Sequence, residues 1–150
     1  MTRKLSLAVA AGILLLGTAA SAETLKIGLA DDPDVLDPDQ SRTFVGRIVY
    51  TALCDKLVDI DTDLNFVPQL ATKWDWSDGG KTLTMTLRKG ATFHDGTAFD
   101  AEAVKYNIER SKTLPESRRK SEVKSIETVE VVDPLTVRFK LAAPDATLMA

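Results

Sequence analysis

Few residues in this sequence have the chemistry of a catalytic site. The single histidine, His94, lies in a His-Asp-Gly segment typical of a turn, and the single cysteine, Cys54, lies among apolar residues at helical spacing. A reactive thiolate needs accessible, electropositive surroundings, so we expect Cys54 to be buried rather than half of a Cys–His pair. The Gly-x-Ser-x-Gly motif is absent from the sequence. We therefore predict no catalytic residue, no cofactor and no enzymatic activity.

Three aspartates are spaced like the start of a calcium-binding loop. Asp59, Asp61 and Asp63 occupy the first, third and fifth positions of such a loop. The sixth position, where the loop needs glycine, is Leu64, and the twelfth, where it needs glutamate, is Leu70. Because both positions that set the geometry fail, we interpret these carboxylates as turn residues and predict no metal site.

A second acidic cluster lies nearer the start of the chain and consists of Asp31, Asp32 and Asp34 around Pro33. Two interpretations stay open for it: carboxylates of a solvated loop, or groups that contact a cation or the amine of a ligand. The sequence contains no Gly-x-x-x-x-Gly-Lys-Ser/Thr loop, so no phosphate-binding loop is predicted.

The first 22 residues have the pattern of a signal peptide. Arg3 and Lys4 precede an apolar run over 5–17, and Ala20-Ser21-Ala22 offers the small residues of a cleavage site. The apolar run is shorter than the roughly 20 residues that span a membrane. No cysteine follows it directly, so no lipid anchor is expected. We predict cleavage after Ala22 and a soluble, periplasmic product.

The charge of the predicted mature chain narrows its partners. Removing residues 1–22 takes away Arg3 and Lys4 and no acidic residue, so the formal net charge falls from -3 to -5. An acidic chain lacks the basic surface that nucleic acids need, and it is repelled by anionic lipid. We therefore expect neither partner. One cysteine also excludes an internal disulfide.

The residue patterns predict an α+β fold of hairpins and helices, without the regular alternation of a parallel sheet. Ser41 is expected to cap the first helix and Asp100 the second, and the polar, basic residues 113–121 are expected to form a solvated loop. In order, the predicted elements are a strand over 24–30, a helix after Ser41, a strand over 56–60, a hairpin with Trp74 and Trp76 facing Leu83, Met85 and Leu87, a helix over 101–111, and a hairpin of 128–132 with 135–141.

Five segments, taken in order, carry a resemblance to a known family. They are Leu36-Asp37-Pro38, Tyr50–Val58, Phe66–Trp74 with its Pro-x-Leu-Ala-x-x-Trp motif, Ser77–Gly90 with its Gly-Lys-Thr and Leu-Arg-Lys-Gly motifs, and Phe93–Val104. Together they resemble the extracytoplasmic solute-binding proteins of family 5, the peptide, dipeptide, oligopeptide and nickel group of ABC importers. Gly79 and Ala103 depart from the usual pattern, in which both positions are commonly acidic.

This resemblance implies a two-lobed periplasmic-binding-protein fold of type II, family 5, with a small extra α+β domain. Residues 1–22 would then be the signal peptide, 23–50 the first strand and helix start of lobe I, and 51–150 an incomplete small domain. The second lobe would lie outside this sequence. The apolar residues from 141 onward, which end without a cap, also lead us to expect the N-terminal portion of a longer protein.

The resemblance further implies a monomer that captures dipeptides or oligopeptides and delivers them to the permease subunits of an ABC importer. The same scaffold leaves open a nickel chelate, glutathione, haem, an opine or an oligosaccharide as ligand. Two alternatives from other classes also remain. One is a secreted hydrolase with catalytic residues beyond Ala150, and the other is a periplasmic chaperone or sensor subunit.

In the family, the loop after the first strand and the segment before the first helix lie at the ligand cleft. The resemblance therefore implies ligand contacts for Asp32, Arg42, Thr43 and Phe44. Asp32 would face a ligand amine, and Arg42 would pair with a carboxylate through its planar guanidinium. Thr43 would form a hydrogen bond, and Phe44 would pack on an apolar part of the ligand.

Overall fold

The computed structural model describes residues 24–149. Their elements are α1 (Phe44–Leu53), β1 (Val58–Ile60), β2 (Phe66–Pro68), β3 (Ala71–Ser77), β4 (Thr82–Leu87), α2 (Ala101–Thr113), β5 (Ile126–Asp133) and β6 (Thr136–Leu141), with a 3₁₀ turn at Asp78–Gly80. The predicted signal peptide and its cleavage site after Ala22 lie outside the described residues. Over residues 24–149, none of the helices has both the length and the apolar character to cross a membrane.

The strands form two antiparallel sheets, which confirms the predicted α+β class. β1 and β2 make a two-stranded ribbon, and the larger sheet has the order β3-β4-β6-β5. Both predicted hairpins are present within this sheet. Trp74 lies opposite Met85 and Trp76 opposite Leu83, as the alternation of apolar residues predicts.

The hydrophobic core lies between one face of the larger sheet and α2. The sheet contributes Leu83, Val137 and Phe139, which are 1%, 0% and 3% exposed. From α2, Ala101 and Val104 are buried against them. The two helical residues are three apart and so share one face of α2, which fixes the helix across the sheet.

The turn between β3 and β4 has an unusual backbone. Asp78, Gly79 and Gly80 have φ angles of 52°, 63° and 86°. Glycine has no Cβ and adopts this left-handed region without a steric cost. Two glycines in succession therefore suit this turn. One of them, Gly79, is the position noted above as commonly acidic in the family that the sequence resembles.

The predicted strand over 24–30 is wrong. This segment has no regular secondary structure, and Leu25 and Ile27 are 82% and 73% exposed. The alternation of apolar residues is present, but an extended segment becomes a strand only when its backbone pairs with another. No strand among the described residues pairs with it.

Two predictions about α1 also need correction. Thr43, and not Ser41, is the N-cap residue, since its side chain accepts a hydrogen bond from the third residue of the helix. Cys54 is exposed, whereas the sequence predicted burial. The helix ends at Leu53, and Cys54 is the extended residue that follows it, so it does not share the apolar face of α1.

Candidate functional site

A single carboxylate organises the start of α1, where the predicted ligand residues lie. Asp34 accepts hydrogen bonds from the Ser41 hydroxyl (2.7 Å), the Arg42 backbone N–H (2.8 Å) and the Thr43 hydroxyl (3.1 Å). The Arg42 amide, and after it the Ser41 hydroxyl, lowers the pKa of Asp34 to about 2. Asp34 therefore stays ionised and serves as an anchor for residues 41–43.

The first turn of α1 is packed tightly against this anchor. The Thr43 hydroxyl accepts a hydrogen bond from the Gly46 backbone N–H at 3.0 Å while it donates to Asp34. A Cβ added at Gly46 would lie 2.3 Å from the Ser41 Oγ, which is closer than such atoms approach. Glycine at position 46 thus allows the Ser41 side chain to pass beside the helix.

The loop before α1 is held to α2 by ion pairs. Arg110 donates to both oxygens of Asp37, at 2.5 Å and 3.2 Å, and also to Asp39. The Ser111 hydroxyl donates to the other oxygen of Asp39 at 2.6 Å. The hydrogen bond from Arg110 is the main reason that the pKa of Asp37 is lowered to about 2. We call Asp37, Asp39, Arg110 and Ser111 the loop–helix network.

A second arginine holds the same loop from the segment after α2. Arg119 donates to the carbonyl oxygens of Pro38 (3.1 Å) and Ser41 (2.9 Å), and it pairs with Glu122 at 2.8 Å. The expectation that residues 113–121 form a solvated loop is therefore wrong for Arg119. Sequence reasoning missed both arginines, because their partners lie far away along the chain and no local spacing marks them.

The four predicted ligand residues lie around this anchored loop. Thr43 is half-buried, and its hydroxyl is already engaged as the helix cap. Asp32 and the Arg42 side chain are exposed, and Phe44 is 76% exposed at the first position of α1. Asp34, two residues after Asp32, is hydrogen-bonded to residues 41–43. The four residues therefore lie where the loop meets the start of α1, which we call the loop–helix junction.

A cavity of about 460 Å³ lies beside the C-terminal half of α1, and its lining includes Arg47, Tyr50 and Arg119. Its lining contains none of the four predicted ligand residues. Cys54 and His94 both line a neighbouring cavity of about 310 Å³. Within residues 24–149, no hydrogen bond joins their side chains, and no cluster of three or more His, Cys, Asp or Glu side chains is placed to hold a metal ion.

Comparison with known proteins gives a consistent assignment. Residues 65–150 match the family model described as bacterial extracellular solute-binding proteins, family 5 Middle. The glutathione-binding protein GsiB of Salmonella paratyphi A is 34% identical over 128 residues, which is 84% of this chain and 25% of that protein. The chain therefore spans about a quarter of the length of the curated relatives that it matches.

Two solved structures share the fold of the described residues. NikZ from Campylobacter jejuni in complex with Ni(L-His) has 31% sequence identity and a TM-score of 0.59, covering 62% of this chain and 19% of that chain. The oligopeptide-binding protein AppA from Bacillus subtilis in complex with a nonapeptide has 25% identity and a TM-score of 0.69, covering 73% of this chain and 22% of that chain.

Proposed function

The chain belongs to the bacterial extracellular solute-binding proteins of family 5, and from this premise we propose that it is part of a substrate-binding protein that delivers small peptides to an ABC importer. The proposal rests on the family match over residues 65–150. GsiB is named for glutathione, itself a small peptide, and AppA is in complex with a nonapeptide. The proposed protein acts by binding alone and is not an enzyme.

The remaining parts of the proposal combine the same family with the signal-peptide pattern of residues 1–22. Residues 1–22 direct export and are removed after Ala22, so that the protein works in the periplasm. There it acts as a monomer, and its contacts with the permease subunits are transient. Residues 23–50 belong to lobe I, and 51–150 to the small domain attached to it. N-terminal sequencing of the exported product, which should start at Glu23, tests the predicted cleavage.

We further propose that the peptide binds at the junction before α1. A peptide has an amine at one end and a carboxylate at the other, and the junction exposes both Asp32 and Arg42. Asp32 faces the amine, and Arg42 pairs with the carboxylate. The Thr43 hydroxyl retains one unused lone pair for the ligand, since it donates one bond and accepts one. Phe44 packs on an apolar part of the ligand.

Thermal unfolding of the full-length gene product with glutathione, tri-alanine, a nonapeptide and Ni(L-His) tests the class of ligand. A ligand at 100 times its Kd stabilises the folded state by about 2.7 kcal/mol. We expect a shift with at least one peptide and little with the nickel complex. A shift with Ni(L-His) alone would replace the peptide assignment with a metal chelate, and hydrolysis of a peptide during the measurement would contradict a purely binding role.

Variants and blocked peptides test the residues. Arg42→Met should weaken binding of tri-alanine roughly tenfold or more, because a hydrogen-bonded charge is lost. Amidation of the peptide carboxylate should weaken the wild type by a similar factor and have no further effect on Arg42→Met. Arg88→Met, which removes an exposed arginine away from the junction, is the control. Equal binding by Arg42→Met and wild type would exclude Arg42 as a ligand residue.

A further inference from the structure

We propose that Arg110 is a positioning residue for ligand binding, which holds the loop over 34–43 in its ligand-binding arrangement although it lies on α2. This inference rests on the proposed function, since it assigns a ligand role to the junction. Arg110 contacts both carboxylates of the loop–helix network. These carboxylates lie far from Arg110 along the chain, and Asp37 is 73 residues away. The interaction therefore sets the position of the loop relative to the sheet.

The helix that carries Arg110 is a fixed support. Ala101 and Val104 are buried in the core, and Asp100 caps the helix by accepting the Ala103 N–H at 2.9 Å. Near the other end, Lys112 donates to the Ile126 carbonyl on β5 at 2.5 Å. Both ends of α2 are thus tied to the larger sheet. A loop that is bound to a side chain of α2 is therefore fixed in position relative to the whole domain.

The loop depends on polar contacts for its position. No hydrophobic residue of 34–43 belongs to the core or packs against it, and Leu36 within this segment is 70% exposed. Its buried residues are polar, namely Asp39 and Ser41, at 7% and 2% exposed. Apolar burial therefore contributes little here, and polar contacts fix the loop to the domain: the loop–helix network, Arg119, and the Arg118 backbone N–H, which donates to the Asp39 carbonyl at 2.7 Å.

A continuous set of hydrogen bonds leads from Arg110 to the predicted ligand residues. Asp37, held by Arg110, accepts the Ser41 N–H through its backbone carbonyl at 2.9 Å. The Ser41 hydroxyl then donates to Asp34, which accepts the Arg42 N–H. Loss of Arg110 leaves two neighbouring carboxylates without their shared cation, which favours movement of the loop away from α2.

Hydrogen exchange in the full-length gene product measures the position of the loop directly. In Arg110→Met we expect the amides of Ser41 and Arg42 to exchange roughly tenfold to a hundredfold faster, since hydrogen bonds to a charged group are lost. Amides of β4 should not change. Arg110→Lys should recover part of the protection, because lysine keeps the charge but lacks the planar fork. Lys105→Met, on the same helix, is the control.

Calorimetry with glutathione and tri-alanine on the same variants measures the consequence for the ligand. If the loop keeps its binding arrangement a tenth of the time, the apparent Kd rises about tenfold. Unchanged exchange at Ser41 and Arg42, faster exchange with an unchanged Kd, or equal acceleration in β4 would each overturn the positioning role. A wild type that binds none of the peptides refutes the proposed function, whereas normal binding by Arg110→Met refutes this inference alone. If Arg110→Met does not fold, Arg110→Lys and Asp37→Asn carry the same test.

Discussion

Replacing Gly46 by alanine tests the close packing at the start of α1. Alanine is favoured over glycine within a helix by about 1 kcal/mol, so helix propensity alone predicts a more stable protein. The structure predicts the opposite. The new Cβ would lie 2.3 Å from the Ser41 Oγ and 3.1 Å from the Thr43 Oγ1, whereas ordinary contacts begin at 3.4 Å.

We expect the steric cost of the new Cβ to outweigh the gain in helix propensity. Ser41 is only 2% exposed, so its hydroxyl cannot turn into solvent, and moving it by roughly 1 Å breaks its bond to Asp34. Overpacking of this kind costs about 1–3 kcal/mol. After the gain of about 1 kcal/mol from helix propensity, we expect a net loss of up to about 2 kcal/mol in the local stability of α1.

Native-state hydrogen exchange of the α1 amides in the full-length protein is the assay. The expected loss corresponds to exchange that is up to roughly 30 times faster. In a Ser41→Ala background the obstructing oxygen is absent, so the same Gly46→Ala change should cost much less, and the double-mutant cycle should show coupling between the two sites. Gly28→Ala is the matched control, because no atom lies within 4 Å of its added Cβ.

If Gly46→Ala slows exchange in α1 as helix propensity predicts, or if its effect is the same with and without the Ser41 hydroxyl, then Ser41 does not pass beside the helix as the structure shows. The anchoring of residues 41–43 by Asp34 would then need another explanation.

Three further predictions concern the domain as a whole. Leu83→Ala should lower the free energy of unfolding by about 2–5 kcal/mol in urea titrations, because Leu83 is 1% exposed, whereas Leu64→Ala, at 81% exposed, should change it by less than about 0.5 kcal/mol. Arg110 lowers the pKa of Asp37 from 3.8 to about 2. The ionised carboxylate therefore stabilises the fold above about pH 4, and this contribution disappears as the pH falls toward 2. Asp37→Asn should flatten that part of an acid-unfolding curve, and an unchanged curve would contradict the ion pair with Arg110. Asp100→Ala should cost about 1 kcal/mol by removing the cap of α2, with Asp100→Ser close to wild type in the same titrations.

Local patterns in the sequence predicted most of the fold. The alternation of Leu83, Met85 and Leu87 marked the inner face of a strand, and the spacing of Ala101 and Val104 marked the inner face of a helix. These signals succeed because one face of each element is buried in this domain. The same alternation over 24–30 failed, because it shows which side chains share a face but not what pairs with the backbone.

The candidate site was less predictable because its contacts are distant in sequence. Ser41 and Thr43 are both good helix caps, and only the position of Asp34 decides that Thr43 caps α1 while Ser41 serves the carboxylate. Arg110 on its helix has the appearance of an ordinary solvated charge. Its partner Asp37 stands out in the sequence only as part of a family motif, since an ion pair between distant segments leaves no local spacing.

The order of the larger sheet has a consequence for how the chain acquires its structure. β3 with β4, and β5 with β6, are neighbours along the chain, so each pair needs only a short loop to close. The central pairing of β4 with β6 encloses residues 88–135, including α2, and carries the entropy cost of closing that long segment. During synthesis this pairing must wait until β6 has emerged. We therefore predict that the two hairpins form as early, separate units and that their joining is the slow step of folding, which refolding kinetics of variants in the β4–β6 pairing would test.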